Sequence, residues 1–353
     1  MKKISKLILF LLAGMMAFTV SAATVSDYPT PVHRPILEEY TGGWCGWCIR
    51  GIVGMELLNR NLGNDFIGVA YHNGDAMQIM GSNQYPNRIS GYPNAFIDRY
   101  ANADPYYGFG STSAGIISDM QQMAAIETIA GIDVTAEWAD EDRTVIKVHV
   151  SSYFTVDDNE GSYAIEVMLV ADGLYGTGSD WEQQNYYANN QNYANDPYLA
   201  RWVKQPAVIS GFRFKEVLIG TSGVIAGSLP EEIVAYNTNN FDYTFTLSQL
   251  PKPSLVQNKD KLHVVAIVVN RTTKRAINAN KTLSISDYVP VPVIPGDVDD
   301  DGDVTIADVT ALIDYILNSE TASINTANAD VDEDGEISIA DVTSLIDLIL
   351  GAH

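Results

Sequence analysis

The sequence predicts a multidomain protein: a small α/β domain, then an all-β sandwich, then a small all-α calcium-binding module. Three observations predict it. Up to about residue 127, apolar runs of strand length alternate with apolar residues at helical spacing. From there to about residue 287 the period is two. Finally, two acidic, glycine-containing loops repeat at an interval of 33 residues, each followed by an amphipathic stretch. At 353 residues and 46% hydrophobic, the chain has material for two or three cores.

Charge narrows the function classes. Lys plus Arg number 21 against 44 Asp plus Glu, a net charge of −23. This balance lacks the basic footprint of a nucleic-acid binder and the cationic face that adheres to anionic lipid. From Asp297 onward there are 15 acids and no Lys or Arg, so the tail is a different object from the body. The two cysteines stand three positions apart, which excludes a disulfide-dense scaffold.

Residues 1–22 read as a signal peptide. Lys2, Lys3 and Lys6 precede an apolar run over 7–20, and Val20-Ser21-Ala22 or Ser21-Ala22-Ala23 offers a small-residue cleavage site. The run is short for a transmembrane span, and no later segment suggests one. The expected location is outside the cytoplasm: at the cell surface or outer membrane, extracellular or periplasmic.

Residues 24–127 form the predicted α/β domain. A strand over 36–40 ends at Gly42-Gly43 and leads into Trp44-Cys45-Gly46-Trp47-Cys48. Ile49, Ile52, Val53, Leu57 and Leu58 give helical spacing over 48–62. A strand follows over 65–71, then a short polar segment over 84–91, a strand over 94–98 after Tyr92-Pro93, and a helix over 116–126. This β–α–β–α–β–α order implies a parallel component.

Residues 128–287 supply seven candidate strands: 132–138, 144–150, 162–171, 213–219, 241–247, 262–270 and 276–285. Seven short strands suit an immunoglobulin-like sandwich. The interruption at 179–201 is rich in Asn, Gln and Tyr and reads as a partly ordered surface insert. Its aromatics and amides also suit a glycan or protein ligand. Three prolines within 288–296 predict an extended linker.

Cys45 and Cys48 follow a strand and open a helix, whose N-terminus lowers thiol pKa. Cys45 is the expected exposed attacking sulfur and Cys48 the buried resolving one. At these residues the chain resembles the thioredoxin superfamily. Trp44 fits the residue before the first cysteine. Pro93 fits the cis-proline that faces the disulfide, and Glu39 fits the buried acid that handles the resolving thiol's proton. Trp47 departs from the pattern, standing where thioredoxin has proline. A permanent structural disulfide is the other reading of the pair. The run EEYTGGWCGWC, together with Gly91–Asp98 and the sandwich after them, resembles the twenty-eight-kilodalton outer-membrane-antigen-related proteins of anaerobic Gram-negative bacteria. That resemblance implies a fold and a compartment more than a reaction.

In the tail, Asp297, Asp299, Asp301, Gly302, Asp303 and Asp308 form one EF-hand-type loop. Asp330, Asp332, Asp334, Gly335, Glu336 and Asp341 form the other. Carboxylates at positions 1, 3 and 5 converge, the glycine allows a sharp turn, Asp303 and Glu336 are expected to give backbone carbonyls, and Asp308 and Asp341 close the shell. Two calcium ions are expected. Val309, Leu312, Ile313, Ile316 and Leu317 form an apolar stripe, repeated by Val342, Leu345, Ile346, Ile349 and Leu350. Loop plus exit helix, twice, over 297–353 after a Pro-rich linker resembles a type I dockerin. The resemblance implies docking to a cohesin-like module through Ile306-Ala307, Ile339-Ala340, Tyr315 and Leu348, the last two expected off the packing stripe.

Two functions follow as expectations. One is an exported thioredoxin-like thiol–disulfide oxidoreductase acting on exported thiol proteins and attached through its dockerin. The other is a non-catalytic surface binding or assembly protein, with a structural disulfide and a glycan or protein ligand on the sandwich.

Overall fold

The computed structural model describes residues 28–289, 294–317, 324–332 and 334–351. The expected signal peptide and residues 290–293 of the Pro-rich linker lie outside these residues. The chain divides into two compact units, one through Tyr288 and one from Val289.

The body is rich in β-sheet. Its elements begin with β1 (Ile36–Thr41), α1 (Ile49–Leu62), β2 (Ile67–His72), β3 (Asn94–Ile97), β4 (Ala101–Ala103) and α2 (Gly115–Ala124). Three long strands follow, β5 (Ala130–Trp138), β6 (Val145–Phe154) and β7 (Tyr163–Ala171). After them come β8 (Gln183–Gln184), α3 (Ala200–Val203) and β9 (Val208–Ile209). The last four strands are β10 (Val217–Ile225), β11 (Asn239–Thr246), β12 (Leu262–Asn270) and β13 (Ala276–Lys281). All seven expected strands of 128–287 are present, with shifted ends.

Their assembly differs from a separate sandwich. Eight strands make one mixed sheet in the order β13-β12-β7-β10-β2-β1-β3-β4, while β11-β6-β5 makes a three-stranded antiparallel sheet. The large sheet therefore crosses the expected division at 127/128, and the two expected domains form one compact unit. The seam is β2 beside β10, where Val217 pairs with Ala70 and the Ala70 amide donates to the Glu216 carbonyl. The expected parallel component is β1 beside β2, from Ile36 with Ile67 to Thr41 with His72. Residues 84–91 form no α-helix beyond a 3₁₀ turn at Ser82–Gln84. Pro86 and Gly91 explain that, since neither sustains a helix interior.

The core lies on both faces of the large sheet. On one face Ile165, Val167, Leu169, Val264 and Ala266 meet Val134, Trp138, Ile146, Val148 and Phe245 of the small sheet. On the other, Met168, Val170, Val265 and Ile267 meet Tyr40, Tyr71 and Ile36. Burial on both faces is why β7 and β12 read as apolar runs broken only by Glu166 in one and His263 in the other, up to Asn270. Truncating one buried methyl group here, Ile267→Val, is expected to cost about 1 kcal/mol in urea unfolding.

A buried ionic cluster fastens the seam. Arg99 Nε and Nη2 donate to the Glu38 carboxylate, and Nη1 donates to Glu166 Oε2 at 2.6 Å. The Tyr71 hydroxyl donates to Glu38 Oε1. Glu38 is on β1 and Glu166 on β7, so one arginine joins the two halves of the sequence.

The second unit contains α4 (Ile306–Leu317), α5 (Thr326–Ala329) and α6 (Ile339–Leu350). Val298, Val309, Leu312, Ala329, Val342 and Leu345 form its core. The stripes buried in that core differ from those expected. Leu317, Ile346 and Leu350 are exposed, while Leu348 packs against the core. Ile316 and Ile349 still pack against the core, so only one face of each last turn is used, and Leu317 and Leu350 lie off it.

Candidate functional site

The first candidate site is the Cys45–Cys48 disulfide at the start of α1. Both sulfurs belong to buried residues, and Cys45 is only 5% exposed, against the expectation of an exposed attacking cysteine. The tryptophans are the accessible groups, Trp44 at 47% and Trp47 at 37%.

The insert covers the cysteines. The Gln184 amide donates to Gly43 O and the Tyr186 amide to Gly46 O. Gln183 Nε2 donates to Cys45 O at 3.1 Å. Gly46 is required here, because a Cβ would stand 2.3 Å from the Tyr186 ring. Trp47 packs edge-on against Tyr186 and Tyr187. The 179–201 stretch is thus ordered: β8 pairs with β9, and Gln183, Asn185, Tyr187 and Leu199 are buried. Its amides bond to backbone carbonyls of the cysteine loop and of its own chain, for instance Asn185 Nδ2 to Trp202 O.

The other sequence-predicted residues gather around the pair. The Tyr92–Pro93 bond is cis. Pro93 precedes Asn94, which pairs with Tyr40 near the end of β1. The Trp44 ring meets Tyr92 at 5.4 Å, and its Nε1 donates to Asn73 O. Glu39 is buried, and its carboxyl fits against α1 only because Gly51, one turn after Cys48, has no side chain. A Cβ there would be 1.7 Å from Oε1. Glu39 Oε1 has no hydrogen-bond partner. Burial pushes this carboxyl up to about 8.

Asp75 escaped the sequence reading. Its Oδ2 accepts from the Gly43 amide at 2.8 Å and lies 2.6 Å from His72 Nδ1, tying β2 to the cysteine loop. Burial works to raise its carboxyl, but His72 and the Gly43 and Met77 amides outweigh that and hold it below the usual range. The sequence signal was a polar His-Asn-Gly-Asp run directly after a buried strand.

The second candidate site is the loop pair of the C-terminal unit. Carboxylates of Asp297, Asp299 and Asp308 come within 4.8 Å of one another in the first loop, as do those of Asp330, Asp332 and Asp334 in the second. Asp301 and Asp341 stand outside these sets. The Asp341 carboxylate accepts from the amides of Val331 and Ser338, as Asp308 does from Asp299 and Thr305. The Asp303 and Glu336 side chains are exposed, and their amides donate to Asp301 and Asp334. Gly302 and Gly335 have φ of 93° and 89°, conformations that favour glycine. Desolvation first, then neighbouring carboxylates, raises Asp299 and Asp332. An all-oxygen, anionic donor set in a tight loop fits a hard cation such as calcium. Ile306 and Ile339, at position ten of each loop, are 70% and 69% exposed.

Among the described residues no helix is long and apolar enough to cross a membrane. No curated protein matches this chain. HBP35 of Porphyromonas gingivalis shares its fold at a TM-score of 0.50 and 13% identity, over 77% of this chain and 82% of that one. A protein of Agrobacterium tumefaciens has a TM-score of 0.38 and 11% identity, over 75% of this chain and 99% of that one. A domain of the outer membrane lipoprotein Omp28 from Porphyromonas gingivalis has a TM-score of 0.24 and 15% identity, over 46% and 92%. Residues 295–350 match the dockerin type I domain, and with that match go calcium binding and docking to a cohesin partner on a surface or complex.

Proposed function

We propose that the chain is an exported, dockerin-attached thiol–disulfide oxidoreductase with a thioredoxin-like site. The observation that carries the redox half is the disulfide at the N-terminus of α1, one turn above a buried acid that titrates near 8. In the oxidised form, a substrate thiolate attacks Cys45 Sγ, forming a mixed disulfide and displacing Cys48 as thiolate. Glu39, protonated below about pH 8, gives its proton to that thiolate. A second substrate thiolate then attacks the substrate's sulfur and releases Cys45 as thiolate, which the helix N-terminus favours. Two substrate thiols become one disulfide and the protein pair becomes a dithiol; run backward, the same steps reduce a substrate disulfide. Each dockerin loop would hold one calcium ion, through Asp297, Asp299, Asp301 and Asp308 in the first and Asp330, Asp332, Asp334 and Asp341 in the second, with the backbone carbonyls of Asp303 and Glu336 available to it. Ile306-Ala307 and Ile339-Ala340 face the cohesin-like partner.

The covered Cys45 favours a second reading: a structural disulfide in a non-catalytic surface binding or assembly protein. The reduction potential of the pair separates the two. A value between roughly −120 and −270 mV, with a Cys48→Ala variant that traps exported proteins as mixed disulfides, is expected for the oxidoreductase. A value below about −300 mV with nothing trapped sinks it.

A further inference from the structure

The body also holds a cavity of about 410 Å³ between α1, the insert and the segment leading into β10. That is the size of a small-molecule site. Its chemistry is layered. Glu39, almost fully buried, is among its lining residues, and its Oε1, which lacks a partner, lies against Gly51. Its walls include Ile52, Met55 and Phe214, with the His72 ring edge-on to Phe214 at 5.3 Å. Its mouth collects the exposed cations Arg60, Arg213 and Lys215, beside Arg201, which is paired with Glu56. In a chain of net charge −23, four cations against Glu39, Glu56 and Glu216 leave this lining with a small positive balance.

We propose that this cavity binds a small dipolar molecule of the apolar amino-acid or dipeptide class. Its ammonium meets Glu39, its apolar side chain lies against Met55 and Phe214, and its carboxylate turns toward Arg60, Arg213 and Lys215. A buried acceptor without a partner calls for a donor. A cationic mouth on an acidic protein selects an anionic group, and the apolar wall between them selects the body of the ligand. Binding uses no thiol but takes the Glu39 carboxyl that the redox reading makes a proton donor, and the N-acetyl comparison below, which involves no thiol exchange, tells the failure of one from the failure of the other. The charged and titratable groups facing Glu39 are Arg50 and Asp104 on neighbouring segments, and His72 and Glu216 on the cavity wall. None donates a hydrogen bond to Oε1. An arriving ammonium turns the protonated carboxyl into carboxylate, so binding releases a proton.

The test is calorimetric titration of the oxidised, calcium-loaded full chain at pH 7 with L-leucine and L-leucyl-L-leucine. Expected is a Kd at or below about 1 mM for one of them. Heats should vary with buffer ionisation enthalpy, and affinity should rise up to about tenfold from pH 6 to pH 7. N-acetyl-L-leucine, which lacks the ammonium, and the Glu39→Gln variant should each lose tenfold or more. Leucinamide and the Arg213→Ala/Lys215→Ala variant should lose less and lose their salt dependence. No binding of either dipolar probe at about 10 mM overturns the inference. So does binding that N-acetylation leaves unchanged, a comparison made on the unaltered protein and independent of how the variants fold.

Discussion

Chelating calcium is expected to unfold the C-terminal unit and leave the body folded. Six buried residues form its core, from Val298 to Leu345, and so small a core supplies only a few kcal/mol. Against it stand 15 acids with no Lys or Arg between Asp297 and the end of the chain. The loop amides already donate to Asp297, Asp308, Asp330 and Asp341, so hydrogen bonding has little left to offer those charges. A bound cation changes the balance. At a thousandfold excess over its Kd, each site adds about 4 kcal/mol of stability. Calorimetric scanning of the full chain should therefore show two transitions in calcium. In chelator the C-terminal one should disappear or fall by more than about 20 °C, with the other unmoved. Cohesin capture should vanish under the same conditions. A C-terminal transition that ignores chelation would mean that the loops hold no structural calcium.

The contrast between the two units explains what was legible in the sequence. The loops were, because Asp297 to Asp308 are neighbours along the chain and their spacing is their geometry. The strand over 262–270 was, because burial on both faces leaves an apolar run from Val264 to Val269. The cysteine pair was legible because its two members stand three residues apart, whereas Pro93, 45 residues beyond Cys48, entered only through the resemblance. The seam was not. Arg99 lies 61 residues from Glu38 and 67 from Glu166, and nothing local marks these charges as buried partners. The β2–β10 pairing that fuses the two halves rests on Val217 beside Ala70, far apart in the chain. The insert was misread for a related reason: Asn, Gln and Tyr compose a loose loop as readily as a cover. What makes it a cover is the fit of Tyr186 over Gly46, and that was visible only in three dimensions.

The Glu39→Gln variant is expected to be more stable than the parent at alkaline pH and about 1 kcal/mol less stable at acid pH. An unfolded glutamate titrates near 4.3, whereas burial holds the folded carboxyl near 8. Below the lower value both states are protonated and the titration of the residue makes no difference. Between the two values the folded state keeps a proton that the unfolded state has released, so parent stability falls as pH rises. Above about 8 the whole difference, roughly 5 kcal/mol, has been lost. Glutamine does not titrate and escapes that loss, minus about 1 kcal/mol for fitting an amide where Oε1 has no partner. Urea unfolding at pH 4, 7 and 8.5 reads the difference directly. A gap that stays constant with pH would show that Glu39 does not titrate in this range, and the proton transfer assigned to it would go with it. If the gap opens as expected, the same variant should exchange thiols more slowly by a factor of about 10²–10⁴. Gained stability with lost exchange is the combination that a purely structural acid does not produce, because a group kept for packing would lose stability on replacement.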